Sequence, residues 1–200
     1  MEKIKGGSSA LGWTLNSSLI ADQTIRSEAN RMGSIPNPDH SDTAAFHQRW
    51  MSEAIALGRA GMRERGGGPF GAVVVSDGAV VGRGCNQVTR LLDPTAHAEM
   101  TAIRDACSAL RRFDLRGCVV YTSCEPCPMC LAAIYWARLD RIYYACTRSD
   151  AAGIGFDDDF IYQQIPLDIA ARSLPMVQLP SKSAQELFRE WAAKPDKVPY

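Results

Sequence analysis

Two short segments of the chain carry side chains that bind borderline or soft metal ions. They are Pro94–Glu99 and Cys124–Cys130. His97 offers an imidazole, and Cys127 and Cys130 offer two thiols separated by two residues, a ligand set that suits zinc. Three protein ligands leave the fourth tetrahedral position for water, which is the arrangement of catalytic rather than structural zinc sites. A structural zinc site completed by a further cysteine and a redox-active Cys-x-x-Cys pair are the alternatives.

A carboxylate lies close to this ligand set in the sequence. Glu99 follows His97 by two residues, and both segments are expected at helix starts, where unpaired N–H groups stabilise thiolates. Zinc makes a bound water far more acidic, and a neighbouring carboxylate accepts its proton and passes it on. The pattern therefore predicts hydrolytic chemistry with Glu99 as the proton-transferring group, and it leaves Cys124 as an alternative metal ligand.

The hydrophobic pattern predicts the elements that must position these two segments. A helix is expected after a cap near 41–43, followed by a β-hairpin around Asp77-Gly78. The later elements are expected as a helix from about 95 to 110, a strand over 118–122, a helix over 128–137, a strand over 141–145, a strand near 175–177 and a helix over 183–192. This order predicts a layered α/β fold with a mixed sheet.

Composition divides the chain into two parts. Residues 1–40 are rich in Gly, Ser and Asn and end in two closely spaced prolines, so we expect a variable or partly disordered arm without chemistry. Residues 41–200 carry both metal-binding segments and are expected to form one functional domain. Over the whole chain, 46% of residues are hydrophobic and 22% are charged, which is typical of a globular protein.

The charge and the cysteine content limit the binding partners and the cellular compartment that we expect. The 22 basic and 22 acidic residues give a net charge of zero, whereas proteins that bind nucleic acid usually carry a basic surplus. No stretch reaches the roughly 18 apolar residues of a membrane span, so no membrane partner is expected. The seven cysteines are an odd number that suits free thiols, and we therefore expect a cytoplasmic protein.

Taken together, the two segments resemble the signature of zinc-dependent nucleobase deaminases, His-x-Glu followed by Pro-Cys-x-x-Cys. Residues from about 44 to 200 are similar to the cytidine deaminase superfamily and, within it, most closely to the bacterial-type guanine deaminases. The closer similarity rests on Gly68–Val73, Thr122–Cys130, Ala132–Arg138, Gly155–Tyr162 and the final Tyr200. The first forty residues have no counterpart in this resemblance.

The resemblance implies a three-layer α/β/α fold, the cytidine deaminase-like fold, with a five-stranded mixed sheet. It implies that residues 41–200 form one zinc deaminase domain whose C-terminal tail closes the active site. It further implies a homodimer in which the C-terminal segments are exchanged, so that the tail closes the site of the partner subunit.

The resemblance also implies roles for individual residues. His97, Cys127 and Cys130 would hold one zinc ion per subunit, with water as the fourth ligand. The residues implied to contact the purine base are Asn86, Phe70, Trp136, Asp157, Asp158 and Tyr200. Asp158 is implied to face the amino group and ring N–H of guanine and to help move protons, with Asp157 as the alternative because three adjacent carboxylates blur the register.

The implied reaction is the hydrolytic deamination of guanine to xanthine and ammonia. Glu99 would take the proton of the zinc-activated water, the oxygen would attack C2 of guanine, and Glu99 would then protonate the ring and the departing amine. Guanosine or ammeline is the alternative substrate for the same chemistry. Deamination of adenosine in tRNA is less favoured because of the zero net charge and the closing tail, and a non-enzymatic zinc module would need four protein ligands.

Overall fold

The computed structural model describes residues 43–156 and 158–199, and the predictions for residues 1–40, Asp157 and Tyr200 lie outside this part of the chain. The helices are α1 (Ala44–Arg65), α2 (Val88–Leu91), α3 (Ala98–Leu110), α4 (Pro128–Trp136), α5 (Arg148–Gly153), α6 (Asp159–Gln164) and α7 (Lys182–Ala193), with a 3₁₀ turn at Ile169–Ala171. The strands are β1 (Gly71–Ser76), β2 (Ala79–Cys85), β3 (Cys118–Cys124) and β4 (Arg141–Cys146).

The four strands form one mixed sheet in the order β2-β1-β3-β4. Strand β1 is antiparallel to both β2 and β3, whereas β3 and β4 are parallel. The hairpin between β1 and β2 turns at Asp77 and Gly78, whose φ angles of 49° and 72° are the positive values that a tight hairpin turn requires. The predicted α/β fold with a mixed sheet is confirmed.

Helices cover both faces of the sheet and produce three layers. Val73 and Val75 of β1 point to one face, where they pack with Trp50 and Ala54 of α1. Alternate residues of a strand point to opposite faces, so Val74 packs on the other face against α3 and α4. Because β1 is buried on both faces, its sequence is a continuous apolar run rather than an alternating one.

Two glycines of β2 bring helix α3 close to the sheet. A Cβ atom on Gly84 would lie 2.1 Å from the carbonyl oxygen of Ala98, and one on Gly82 would lie 2.3 Å from that of Ala102. Contacts this short exclude any side chain at either position. The two glycines therefore fix the height of α3 above the sheet, and with it the first turn that carries the His-x-Glu segment.

Side-chain hydrogen bonds determine where helices α1 and α3 begin. Thr43 caps α1, as expected, by accepting the N–H of Phe46 at 3.3 Å. Helix α3 begins at Ala98 rather than near Thr95, because the carboxylate of Asp93 accepts both the N–H and the hydroxyl of Thr95 and holds that residue in a turn. His97 is consequently the N-cap residue of α3.

The predicted strand near 175–177 does not form in this structure. The segment between Arg172 and Pro180 has no regular secondary structure, and Met176 and Val177 are exposed. Pro175 and Pro180 have no N–H to donate to a sheet, which disfavours pairing on both sides of this short run. Within the described residues the sheet has four strands, where the resemblance implied five.

Among residues 43–156 and 158–199, none of the helices has both the length and the apolar composition that crossing a bilayer requires.

Candidate active site

Three side chains of the two predicted segments come together as a candidate metal site. The Sγ atoms of Cys127 and Cys130 lie 3.5 Å and 3.6 Å from Nδ1 of His97, and the three candidate ligand atoms all lie within 4.8 Å of one another. Tetrahedral zinc, with Zn–S near 2.3 Å and Zn–N near 2.0–2.1 Å, separates a nitrogen and a sulfur ligand by about 3.6 Å. The side chains present therefore fit zinc in identity and in spacing.

Helix starts hold these ligands at the edge of the sheet. His97 is the N-cap residue of α3 and Cys127 is the N-cap residue of α4, with Pro128 at the first helical position. The loop from β3 to α4 is tied to the neighbouring strand, since the N–H of Glu125 donates to the carbonyl of Cys146 at 2.8 Å. His97 therefore lies at the positive end of the α3 dipole and Cys127 at the positive end of the α4 dipole.

The cysteine thiols of this region differ in pKa. The hydrogen bond from the Cys130 thiol, assisted by His97, lowers the pKa of Cys127 to about 4. The same hydrogen bond raises the pKa of Cys130, and the hydrogen bond with Cys127 raises the pKa of His97. Burial raises the pKa of Cys124 to about 12, and its Sγ lies 3.5 Å from the carbonyl oxygen of Thr147. The group of side chains that could hold a metal ion comprises His97, Cys127 and Cys130 and does not include Cys124.

Glu99 lies next to this ligand set and is almost completely buried, with 5% of its surface exposed. On the strand side, the hydroxyl of Thr122 donates to Oε1 of Glu99 at 2.9 Å. Burial raises the pKa of Glu99. A buried carboxylate held at this position can exchange a proton with a molecule bound beside the ligand set.

A cavity of about 290 Å³ opens onto the ligand set, close to the lower end of small-molecule sites. The residues of this site cavity that matter for its chemistry are Phe70, Asn86, His97, Glu99, Phe156 and Asp158. The rings of Phe70 and Phe156 meet edge to face, with centroids 4.7 Å apart. The cavity therefore combines an aromatic wall, suited to a flat ring, with a few polar groups.

Asn86 presents an oriented amide to the site cavity. The residue is buried, and its Oδ1 accepts the backbone N–H groups of Gly68 at 3.2 Å and Val88 at 3.3 Å. These two bonds fix the side-chain amide, so its NH₂ is the group that can donate to a bound molecule. Gly67 is required beside it, because a Cβ there would lie 2.0 Å from the carbonyl oxygen of Asn86.

Asp158 supplies a buried acceptor on another wall of the cavity. Its Oδ1 is buried and has no hydrogen-bond partner among the described residues. Burial raises the pKa of Asp158. The loop that carries it is tied to the metal-binding loop, since the hydroxyl of Tyr162 donates to the carbonyl of Pro126 at 2.8 Å. A buried acceptor of this kind is satisfied when a ligand N–H reaches it.

The structure does not bring Trp136 to this cavity. Trp136 is 62% exposed and lines a separate apolar cavity with Ile103 and Val198. It follows Cys130 by six residues, which rotates it by about 240° around α4, to a face away from the ligand set. Within this chain Trp136 therefore does not wall the site cavity.

Sequence reasoning missed two residues of the site, Thr122 and Phe156. Thr122 shares the α3-facing side of β3 with Cys118 and Val120, and a polar residue in that apolar series is the signal that could have found it. Phe156 lies beside Asp158 at the end of the Gly155-containing loop, and its place opposite Phe70 depends on the folded chain.

The fold and the His/Cys/Cys site define a class of zinc-dependent deaminases. Residues 44–146 match the family model of the cytidine and deoxycytidylate deaminase zinc-binding region, and the chain belongs to this family. Guanine deaminase of Bacillus subtilis (strain 168) is 47% identical over 77% of this chain and 99% of that protein. Its X-ray structure superposes with a TM-score of 0.75, covering 77% of this chain and 98% of the other. The family resemblance is thus confirmed.

Other relatives match shorter regions of this chain. A tRNA-specific adenosine deaminase of Agrobacterium fabrum is 51% identical, over 40% of this chain and 53% of that protein. A solved structure in complex with 2,6-diaminopurine is 33% identical with a TM-score of 0.54, and the match covers 56% of this chain and 62% of the other. The match to the tRNA-specific enzyme thus covers a smaller part of both chains than the match to guanine deaminase.

Proposed function

We propose that this chain catalyses the zinc-dependent hydrolytic deamination of guanine to xanthine and ammonia. The observation that carries the proposal is the site cavity. There, buried Glu99 and the Asp158 oxygen that has no hydrogen-bond partner among residues 43–156 and 158–199 face the same space as the His/Cys/Cys ligand set. The similarity to a guanine deaminase over nearly the full length of that enzyme supports guanine as the substrate.

His97, Cys127 and Cys130 are the residues that hold zinc in this proposal. When bound, zinc supplies the acidity that turns water into a nucleophile near neutral pH. Glu99 accepts a proton as the water oxygen bonds to C2 of guanine. Glu99 passes this proton to the ring nitrogen. It then takes the remaining proton of the new C2 hydroxyl and delivers it to the amino group, so that the C2–N bond breaks, a C2=O bond forms and ammonia leaves. Guanine and one water become xanthine and ammonia.

The walls of the site cavity recognise the base. Asp158 accepts hydrogen bonds from the exocyclic amine and the ring N–H, which are the donors that guanine presents on one edge. Asn86 donates to an acceptor of the purine, and Phe70 with Phe156 forms the aromatic wall. The contacts predicted for Asp157 and Tyr200 stay predictions, because both residues lie outside the described part of the chain.

Ammonia release tests the proposal and separates the substrates. Guanine, guanosine, ammeline, cytosine, adenosine and a tRNA are incubated with the zinc-loaded protein, and ammonia is measured with an enzymatic assay. We expect release from guanine. Release only from guanosine or ammeline would retain the zinc chemistry and overturn the substrate. Release only from a tRNA, with strong salt dependence, would favour the editing function of the tRNA-specific relatives.

Replacing Asp158 with asparagine is expected to lower kcat/KM for guanine by about 10- to 100-fold, because a hydrogen bond to a charged group contributes about 1.5–3 kcal/mol. Steady-state kinetics measure the effect. Asp159→Asn is the matched control, since Asp159 is the next residue and its carboxylate accepts a hydrogen bond from the exposed Gln163. Equal losses in both variants would contradict the role of Asp158.

We infer further that the protein is a homodimer whose C-terminal segments are exchanged, so that each tail closes the site of the partner subunit. The segment after β4 supports this, since it leaves many large apolar side chains exposed, such as Ile165, Leu174, Val177, Leu187 and Phe188. An exposed apolar surface of this kind usually marks an interface.

Light scattering is expected to give twice the mass of one chain. Phe188→Glu on the apolar side of α7 should weaken the dimer, because it places a charge in the interface. Arg189→Glu on the opposite side of the same helix is the control. A wild-type protein with the mass of a single chain would contradict the dimer.

We also propose a cytoplasmic location. All seven cysteines lie in the described part of the chain and are free thiols there, which suits a reducing compartment. Fractionation of cells with an antibody against the protein tests this. Recovery from an oxidising compartment would contradict it.

A further inference from the structure

Thr122 occupies an unusual place for a hydroxyl group. Its side chain is fully buried on β3, on the face that packs against α3. The backbone around it is held on both sides, since Thr122 is paired with Ala72 of β1 and with Tyr144 of β4. A β-branched side chain in a central strand has little freedom at χ1. The Thr122 hydroxyl is therefore a fixed group that points at Glu99, 2.9 Å from Oε1.

The Thr122 hydroxyl approaches the Glu99 carboxylate from the sheet and donates to Oε1. Glu99 also lines the site cavity, so the carboxylate that this bond holds belongs to the wall that a bound molecule contacts.

We propose that Thr122 is a positioning residue for Glu99, which keeps one carboxylate oxygen on the strand and the other directed at the reacting molecule. This inference rests on the proposed function, in which Glu99 moves the protons. An unheld carboxylate would adopt other rotamers within the cavity, and a displacement of about 1 Å at a reacting group costs up to about 100-fold in rate.

Packing alone does not account for the hydroxyl. Valine has the same branched shape, fills the same volume and is equally suited to a strand. The neighbours on this face of β3 are apolar, including Val120 and Cys118. A residue selected only to fill this place would carry no polar atom, since a buried hydroxyl costs free energy unless it is hydrogen-bonded.

Two substitutions distinguish the contribution of the Thr122 hydroxyl from that of side-chain packing. Thr122→Val removes the donor and keeps the shape, whereas Thr122→Ser keeps the donor and removes a buried methyl group. For the proposed role we expect Thr122→Val to lower kcat by about 10- to 100-fold, the usual cost of removing an orienting partner. KM and zinc content should stay near the wild-type values. Thr122→Ser should retain most of the wild-type kcat but melt at a lower temperature.

A kcat that is retained in Thr122→Ser and lost in Thr122→Val is the decisive result. A kcat of Thr122→Val equal to that of the wild type, or equal losses in both variants, would overturn the proposal. The kinetics use whichever substrate of the ammonia panel the wild type turns over, so failure on guanine overturns only the substrate. Crystal structures give a second readout that needs no turnover. Glu99 should keep its rotamer in Thr122→Ser and lose it in Thr122→Val, and an unmoved Glu99 in Thr122→Val would also overturn the proposal.

Discussion

Replacing Glu99 with glutamine is expected to lower kcat for guanine by about 10³- to 10⁴-fold, the upper part of the range for a general acid and base. The size of the effect follows from the geometry. Glu99 is buried beside the ligand set and faces the site cavity, so bulk water cannot replace it as a proton acceptor. The amide of glutamine fills the same space but does not accept and return a proton.

Zinc content distinguishes a loss of proton transfer by Glu99 from a loss of the metal site. Glu99 is not one of the three candidate ligands, so the Glu99→Gln variant should bind one zinc ion per chain, as measured by atomic absorption. Glu64→Gln, at an exposed carboxylate of α1, is the matched control and should turn over like the wild type. Turnover retained in Glu99→Gln would remove Glu99 from proton transfer. Loss of zinc together with turnover would make its role structural.

Local signals in the sequence were sufficient to predict the elements that hold the site. The Asp77-Gly78 pair places the hairpin turn, because only a few residue types accept two successive positive φ angles. Pro128 suits the first turn of a helix, and Cys127 is indeed the N-cap residue of α4. The spacing of the metal-binding segments then predicts one ligand set, because each segment lies at a helix start on the same edge of the sheet.

Features that depend on packing between distant elements were not predictable in this way. Trp136 lies in a family-like motif, yet the helical rotation from Cys130 turns it away from the site cavity of its own chain. Thr122 meets Glu99 only because Gly84 lets α3 approach the sheet. The strand expected at 175–177 has the right apolar character, but the structure has no pairing partner for it within the described chain.

Replacing Cys127 with alanine is expected to abolish zinc binding and turnover together. The substitution removes one of the three protein ligands, a strong thiolate. The two remaining side chains do not complete the coordination of zinc. Zinc content should fall close to zero after dialysis. A bound metal stabilises the folded state by mass action, so a chelator should lower the Tm of the wild type and leave the Tm of Cys127→Ala unchanged.

Cys146→Ala is the matched control for this result. Cys146 is a free, exposed thiol at the end of β4 and lies outside the ligand set, so its removal changes the number of thiols without changing the metal site. That variant should keep zinc, turnover and the effect of the chelator. Full zinc occupancy in Cys127→Ala would overturn the ligand assignment. Zinc lost while turnover persists would instead mean that the reaction does not depend on the metal, because Glu99 and the cavity alone would then suffice to activate water.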